Sequence, residues 1–422
     1  MNECTFLISI LFWLGAAAPM LEAQDSGPSP AIPQAQTELQ SQPDLQPQPG
    51  LAPQPGLAPQ PGLAPQPGLS SQPPAQPLQA PATQLSMADE AARYLAGLPV
   101  SQGSPLATLT QDPRWIAHSK AMNDAFGALD RRQLSNLRVF NSEIVAPATQ
   151  ISHNCIYFFS GPDFVYADAM FPNCTTHILV GLEPIDPLPD LLSVPQPALL
   201  ATLQDIEVSL NTILNFSFFK TKDMRQDLQR AQLKGVLPII YVFMARTGKT
   251  IQQVSYVSLG GGGGVGEGGK GGTRGVRITY LDPANGAQKK LYYFSADLSD
   301  DALKRNPGIL RFCNSFAPAN AILKAASYLP HENGFNIARN YLLQNASAIV
   351  EDDSGIPVRY FTPDRWTLRF FGSYTGPIEI FKKYYQADLR QYYAASSPKP
   401  LTFGFGYRWS PRASTLILAV RK

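Results

Sequence analysis

The stretch IYFFSGPDFVYADAMFPNCTTHILVGLEP, residues 156–184, decides the fold. Its apolar run at 156–159 predicts a buried strand. Ser160-Gly161-Pro162-Asp163 then makes a tight turn, with Pro162 suited to the first turn of a helix. Residues 164–170 read as a short helix and 176–182 as a second buried strand. Strand, helix and strand in that order predict a right-handed crossover joining two parallel strands.

Toward the C-terminus, Ile206, Leu210, Ile213 and Leu214 mark a long helix, and 223–233 a more polar one. The apolar run 236–245 is ambiguous alone, but Gly248 just after Arg246 favours a helix with a glycine stop. Residues 251–259 alternate like a strand. Strands at 276–281 and 290–294 flank Asp282-Pro283-Ala284-Asn285-Gly286, a turn signal that predicts an antiparallel meander. Helices are predicted at 318–329, with Ile322, Ala325, Ala326 and Leu329 on one face, at 336–344, and at 377–393. Strands are predicted at 348–350, 358–361 and 366–371, and a closing hairpin from 401–409 and 415–420.

Toward the N-terminus, Ser86 caps a helix closed by Gly97 and Pro99. Asp112-Pro113 starts a second helix carrying Trp115, Met122, Phe126 and Leu129, and 131–140 continues helically. The expected class is α/β to α+β, a mixed parallel/antiparallel sheet covered by helices.

Before this body the chain changes character. The first basic residue is Arg93. Residues 1–23 read as a secretory signal peptide, apolar from Phe6 to Ala18, with Ala23 at the cleavage point. It is atypical: its start lacks Lys or Arg, and Leu21 stands where a small residue is usual. The apolar run is short for a span of ~20 residues, so no transmembrane helix is expected after cleavage. Cys4 precedes the run, which argues against lipid attachment there. Residues 24–86 form a Pro/Gln-rich tether in which LAPQPG occurs at 51–56, 57–62 and 63–68. Proline removes donors while glutamine and glycine bury little, so a disordered, extended spacer is expected. Residues 87–422 then form a single globular domain, long enough to bury ~75 % of its unfolded surface. The formal net charge of +2, with 16 % charged residues, supplies no basic field for nucleic acid.

Cofactor motifs fail on inspection. The tract 260–275 contains GxGxxG at Gly264, Gly266 and Gly269, but a strand follows it where a dinucleotide site needs a helix. It reads as a flexible hairpin loop. Gly248-Lys249-Thr250 resembles the end of a phosphate-binding loop, yet Phe243 occupies the place of the required glycine. No cofactor is implied.

Two strand edges offer side chains that could act together. At the amino edge, His153, Cys155, Cys174 and His177 form H-x-C…C-x-x-H, and three readings stand: tetrahedral zinc, a Cys155–Cys174 disulfide, or two unrelated buried thiols. At the carboxyl edge, where open α/β sheets bind ligands, Ser160 and Asp163 follow the first strand and Glu183 the second. They are the candidate catalytic residues, weighed against simple capping of the helix at 164. Glu351-Asp352-Asp353 reads as a polar turn with a salt bridge to Arg359, and His118 and His331 have no partner assigned by spacing.

The blocks YFFSGPDFVYADAMFPN (157–173), HILVGLEP (177–184), LKAASYLPHENGFNIARNYLL (323–343), SAIVEDDSGIPVRYF (347–361) and GYRWSPRASTLILAVRK (406–422) resemble a family of uncharacterised exported bacterial proteins. The resemblance covers most of 110–422. It implies a bacterial origin and an envelope location, periplasmic or secreted, and brings no activity or site residue with it. The expected function is a cell-envelope or periplasmic binding or accessory protein, with an envelope component as partner. The alternative is an exported hydrolase built on Ser160, Asp163 and Glu183, with His331 brought in by the fold.

Overall fold

A computed structural model describes residues 85–149, 151–216, 233–268 and 272–422. The signal and tether expectations for 1–84 and most of the helix expected at 223–233 lie outside the described residues, as does Gly269 of the glycine tract.

Ten strands form one sheet in the order β4-β3-β5-β6-β2-β1-β7-β8-β10-β9. They are β1 Asn154–Phe158, β2 Thr176–Gly181, β3 Thr250–Leu259, β4 Val265–Glu267, β5 Thr273–Asp282, β6 Ala287–Ser295, β7 Ala319–Leu323, β8 Ala346–Glu351, β9 Trp366–Gly372 and β10 Thr415–Arg421. The centre, β6-β2-β1-β7-β8, is parallel. Both wings are antiparallel: β4-β3-β5-β6 on one side and β8-β10-β9 on the other. The mixed sheet expected from the sequence is therefore present.

The central strands are buried on both faces, which is why they read as unbroken apolar runs. Along β1, Cys155 and Tyr157 join one core while Ile156 and Phe158 join the other. The first face is covered by α1 Met87–Leu95, α2 Pro113–Leu129, α3 Phe164–Met170, α4 Gln196–Phe216 and α5 Leu237–Arg246. The second is covered by α6 Asp300–Arg305, α7 Gly308–Asn314 and α8 Asn336–Asn345. A last helix, α9 Ala387–Ser396, packs Leu389 and Tyr393 near Ile417 of β10.

Local signals hold where they are chemically specific. Ser86 Oγ accepts from Asp89 N at 3.1 Å, and Asp112 Oδ1 from Arg114 N at 2.8 Å. Gly248, past the end of α5, has φ +76°. The α3 crossover joins parallel β1 and β2 as expected.

Five assignments are corrected. Residues 318–329 are not a helix but β7 followed by a left-handed turn; its Ala-rich run is a centre strand, paired on both sides, and sheet burial overrides helix propensity. The strand expected at 358–361 is a turn of 3₁₀ helix, Val358–Tyr360. The long helix at 377–393 is broken into a 3₁₀ segment, Glu379–Tyr384, and α9. The closing hairpin does not form: β10 pairs with β8 and β9, while the segment 401–409 carries no strand. Within the glycine tract, residues 265–267 form β4 rather than loop. α6 and α7 have no counterpart in the sequence reading.

No helix among the described residues is long and apolar enough to cross a membrane.

Candidate ligand site at the carboxyl ends of β1, β7 and β8

Strands β1 and β7 are neighbours whose outgoing connections diverge. β1 leads through α3, on the first face, to β2; β7 leads through α8, on the second face, to β8. The carboxyl ends at such a divergence are the usual ligand position in open α/β sheets.

Charge is concentrated there and buried. Lys324, directly after β7, places Nζ 2.7 Å from Asp163 Oδ2, with the two side chains 1 % and 2 % exposed. Tyr157 donates its hydroxyl to the same carboxylate oxygen at 3.0 Å. Nζ also sits 3.4 Å from the centre of the Tyr166 ring. Burial pulls the lysine below its ordinary pKa, against the opposing pull of Asp163, and pushes the Tyr157 phenol well up. Asp163 Oδ1 accepts from Tyr166 N at 3.2 Å, so the residue caps α3 and neutralises Lys324 together.

A second shelf of carboxylates follows β8. Asp352 accepts from the backbone N–H groups of Ala325, Ser354 and Tyr407 and from the Ser354 hydroxyl at 2.5 Å. A Cβ on Gly406, where φ is +71°, would lie 1.7 Å from Asp352 Oδ2, so only glycine lets this loop close over the carboxylate. Asp353 accepts from the Tyr328 hydroxyl at 2.7 Å, and burial with the neighbouring Asp352 pushes its carboxyl up to about 7. Glu351 is wholly buried; Ile356 N donates to its Oε2 at 2.8 Å, and burial raises its pKa far above the carboxylate range.

The rim is aromatic. Tyr328 stacks on Tyr384 at 4.9 Å and lies parallel to Tyr407 at 6.2 Å. The Tyr407 hydroxyl donates to Ala325 O at 3.0 Å and lies 3.1 Å from Ser327 Oγ. His331 packs edge-on against Tyr328 and Tyr384. Its Nε2 meets Asp353 O at 3.2 Å; a carbonyl can only accept, so Nε2 carries the proton. Burial lowers the imidazole to about 4. Phe159, Ser327, His331, Tyr407 and Arg408 are half-buried and form the solvent-facing border.

The backbone here is unusual. Five non-glycine residues among those described have positive φ, and four lie in the loops after β1 and β7: Phe159 at 60°, Ala325 at 51°, Ser327 at 53° and Tyr328 at 55°. Left-handed non-glycine residues cost ~1–3 kcal/mol each and cluster at ligand sites.

The three sequence candidates all reach this edge, in roles other than a relay. The Ser160 hydroxyl meets backbone carbonyls, Gly161 O at 2.8 Å and Val180 O at 3.3 Å. Asp163 serves Lys324, Tyr157 and the α3 cap. Glu183 is 1 % exposed and takes the Tyr293 hydroxyl at 2.9 Å. Its carboxylate lies against Gly181, where a Cβ would be 2.4 Å from Oε2. His331 is brought to the edge as expected, with its hydrogen bond to Asp353 O.

The sequence reading missed Lys324, Ser327, Tyr328 and Tyr407. Lys324 had one legible signal: it is the lone charge in the apolar run 319–330. The acidic turn is corrected too. Glu351, Asp352 and Asp353 are buried side chains held by backbone donors and hydroxyls rather than by a salt bridge to Arg359.

At the amino edge, Cys155 and Cys174 are joined as a disulfide. That settles the three readings for the oxidised chain: neither sulfur is a free thiolate, and the four-ligand zinc arrangement with His153 is not formed. His153 is exposed. The free Cys313 is buried, which pushes its thiol far up and makes it inert. His118 stitches three helices, with Nε2 at Leu95 O (3.0 Å) and Nδ1 at Glu207 Oε1 (2.5 Å).

Comparison of the chain with family models, curated proteins and solved structures finds no match.

Proposed function

We propose that this chain is an exported cell-envelope binding protein holding a small polar ligand at the carboxyl ends of β1, β7 and β8. The observation that carries the reading is the left-handed backbone at Phe159, Ala325, Ser327 and Tyr328, gathered around the buried Asp163–Lys324 pair. Strain of this kind persists only where the surroundings enforce it, and here Tyr407 helps to hold the turn through its hydroxyl contacts with Ala325 O and Ser327 Oγ. Export and envelope location rest on the leader-like N-terminus and the family resemblance.

A hydrolase at the same edge is the lesser reading. It is favoured by a serine, two carboxylates and an imidazole sharing one edge. It is disfavoured by chemistry: the Ser160 hydroxyl is spent on carbonyls, and an imidazole lowered to about 4 is a weak base at neutral pH.

Hydrogen exchange of the purified chain against a panel of envelope fragments, namely muropeptides, free amino acids and oligosaccharides, tests the proposal. Protection is expected in 324–331, 352–355 and 405–408, and should be abolished by Ser327→Trp. Protection confined to other segments, or none with any fragment, sinks it. Turnover of a fragment, lost in Ser160→Ala, would establish the hydrolase instead.

A further inference from the structure

The opposite edge of the sheet carries a second cluster. Cys155 on β1 and His177 on β2 are partners in the parallel register, so their side chains leave the same face. Cys174 lies in the turn that brings the chain from α3 into β2. Both sulfurs and one ring nitrogen of His177 lie within 4.8 Å of one another. The residues are 3 %, 2 % and 0 % exposed.

His177 Nδ1 faces the Tyr280 hydroxyl at 3.4 Å. Nε2 is buried without a hydrogen bond of normal geometry, on the side of the Phe171 carbonyl that Cys174 N already occupies. A neutral imidazole with one nitrogen steered by a hydroxyl is the form that ligates metal. A cavity of about 110 Å³, lined among others by Cys174, Asn173, Pro172 and His153, lies beside this turn.

We propose that Cys155, Cys174 and His177 form a redox-gated site for a soft divalent cation such as zinc, closed by the disulfide when oxidised and opened when a dithiol reduces it. The exchange is balanced. A reductant thiolate attacks one sulfur, forming a mixed disulfide and releasing the other as a thiolate, and the reductant's second thiol then closes on its own first sulfur and frees the one attacked. The reductant leaves as a disulfide, and the protein gains two electrons and two protons. Binding the cation releases those two protons to water. Two thiolates and the His177 lone pair make three ligands, leaving the fourth tetrahedral position to water.

Cobalt(II) is the probe for the full-length chain, reduced with a phosphine and desalted under argon. One Co²⁺ per chain is expected, with a thiolate-to-cobalt charge-transfer band and tetrahedral visible bands that Zn²⁺ displaces. The oxidised chain should give neither, and reoxidation should expel the metal. Cys313→Ser should keep the bands, and His177→Gln should weaken binding by tenfold or more. The proposal is overturned if the reduced chain gives no band, folded or not, or if Cys174→Ser keeps the band in full. Should the variants fail to fold, the contrast between reduced and oxidised parent chain decides alone.

Discussion

Lys324 and Asp163 compensate one another in a place where neither charge could stand alone. Taking two charges out of water costs several kcal/mol per ion, repaid by the 2.7 Å contact and by the Tyr157 and Tyr166 N hydrogen bonds. Lys324→Met leaves Asp163 buried and unpaired, and should cost about 3–5 kcal/mol in urea unfolding. A loss under 1 kcal/mol would mean that water reaches the pair. Asp353 and His331 oppose each other in pH dependence. Asp353 is raised from 3.8 to about 7, so across that window the folded chain holds a proton the unfolded chain has lost, and stability falls as pH rises. His331 is lowered from 6.5 to about 4, so there the unfolded chain holds the extra proton, and stability rises with pH. Each is worth about 1.4 kcal/mol per pKa unit. Relative to the parent, Asp353→Asn should steepen the gain in urea midpoint from pH 4 to 6.5, and His331→Asn should turn it toward a decline. Parallel profiles for all three would refute both assignments.

At the scale of the element, the turn after β7 trades stability for shape. Ala325 at φ 51° sits where glycine is preferred, so Ala325→Gly should stabilise the chain by about 1 kcal/mol. If the strain serves binding, the same variant loses ligand-induced protection at 324–331. A destabilised Ala325→Gly would show that the alanine methyl packs usefully and that strain is not stored there. The disulfide closes a loop with sequence separation 19 between β1 and β2. Chain-entropy reasoning gives about 3 kcal/mol for a loop of that size, so Cys155→Ser with Cys174→Ser should lower the unfolding free energy by roughly that amount. The same elements show what a local reading can see. The strand–turn–helix at 154–170 and the capped helices α1 and α2 were legible, because caps, turns and periodicity act within a few residues. β7 was not. ANAILKAAS, residues 319–327, has the composition of a helix, and only the position of its first five residues between β1 and β8 makes them a strand.

Across the whole molecule, two antiparallel wings extend a parallel centre, and the proposed ligand edge falls where the outgoing connections of β1 and β7 part. The failed hairpin at the C-terminus belongs to this scale: β10 reaches back to β9, 43 to 55 residues earlier, and to β8, 66 to 72 residues earlier, pairings that no turn signal announces. The candidate site has the same character. Ser160, Asp163 and Glu183 were placed at the carboxyl edge from one crossover, yet the partner that gives Asp163 its role, Lys324, follows a strand more than 150 residues later. By itself, the sequence determined the class of sheet, the β1–α3–β2 unit with its carboxyl edge, and the caps of α1 and α2, because these follow from neighbours in the chain. Only the tertiary structure decided that the amino-edge cysteines join, that Glu351, Asp352 and Asp353 are buried, and that a lysine neutralises Asp163. Those outcomes depend on burial and charge compensation between distant segments, which exist only once the chain has folded.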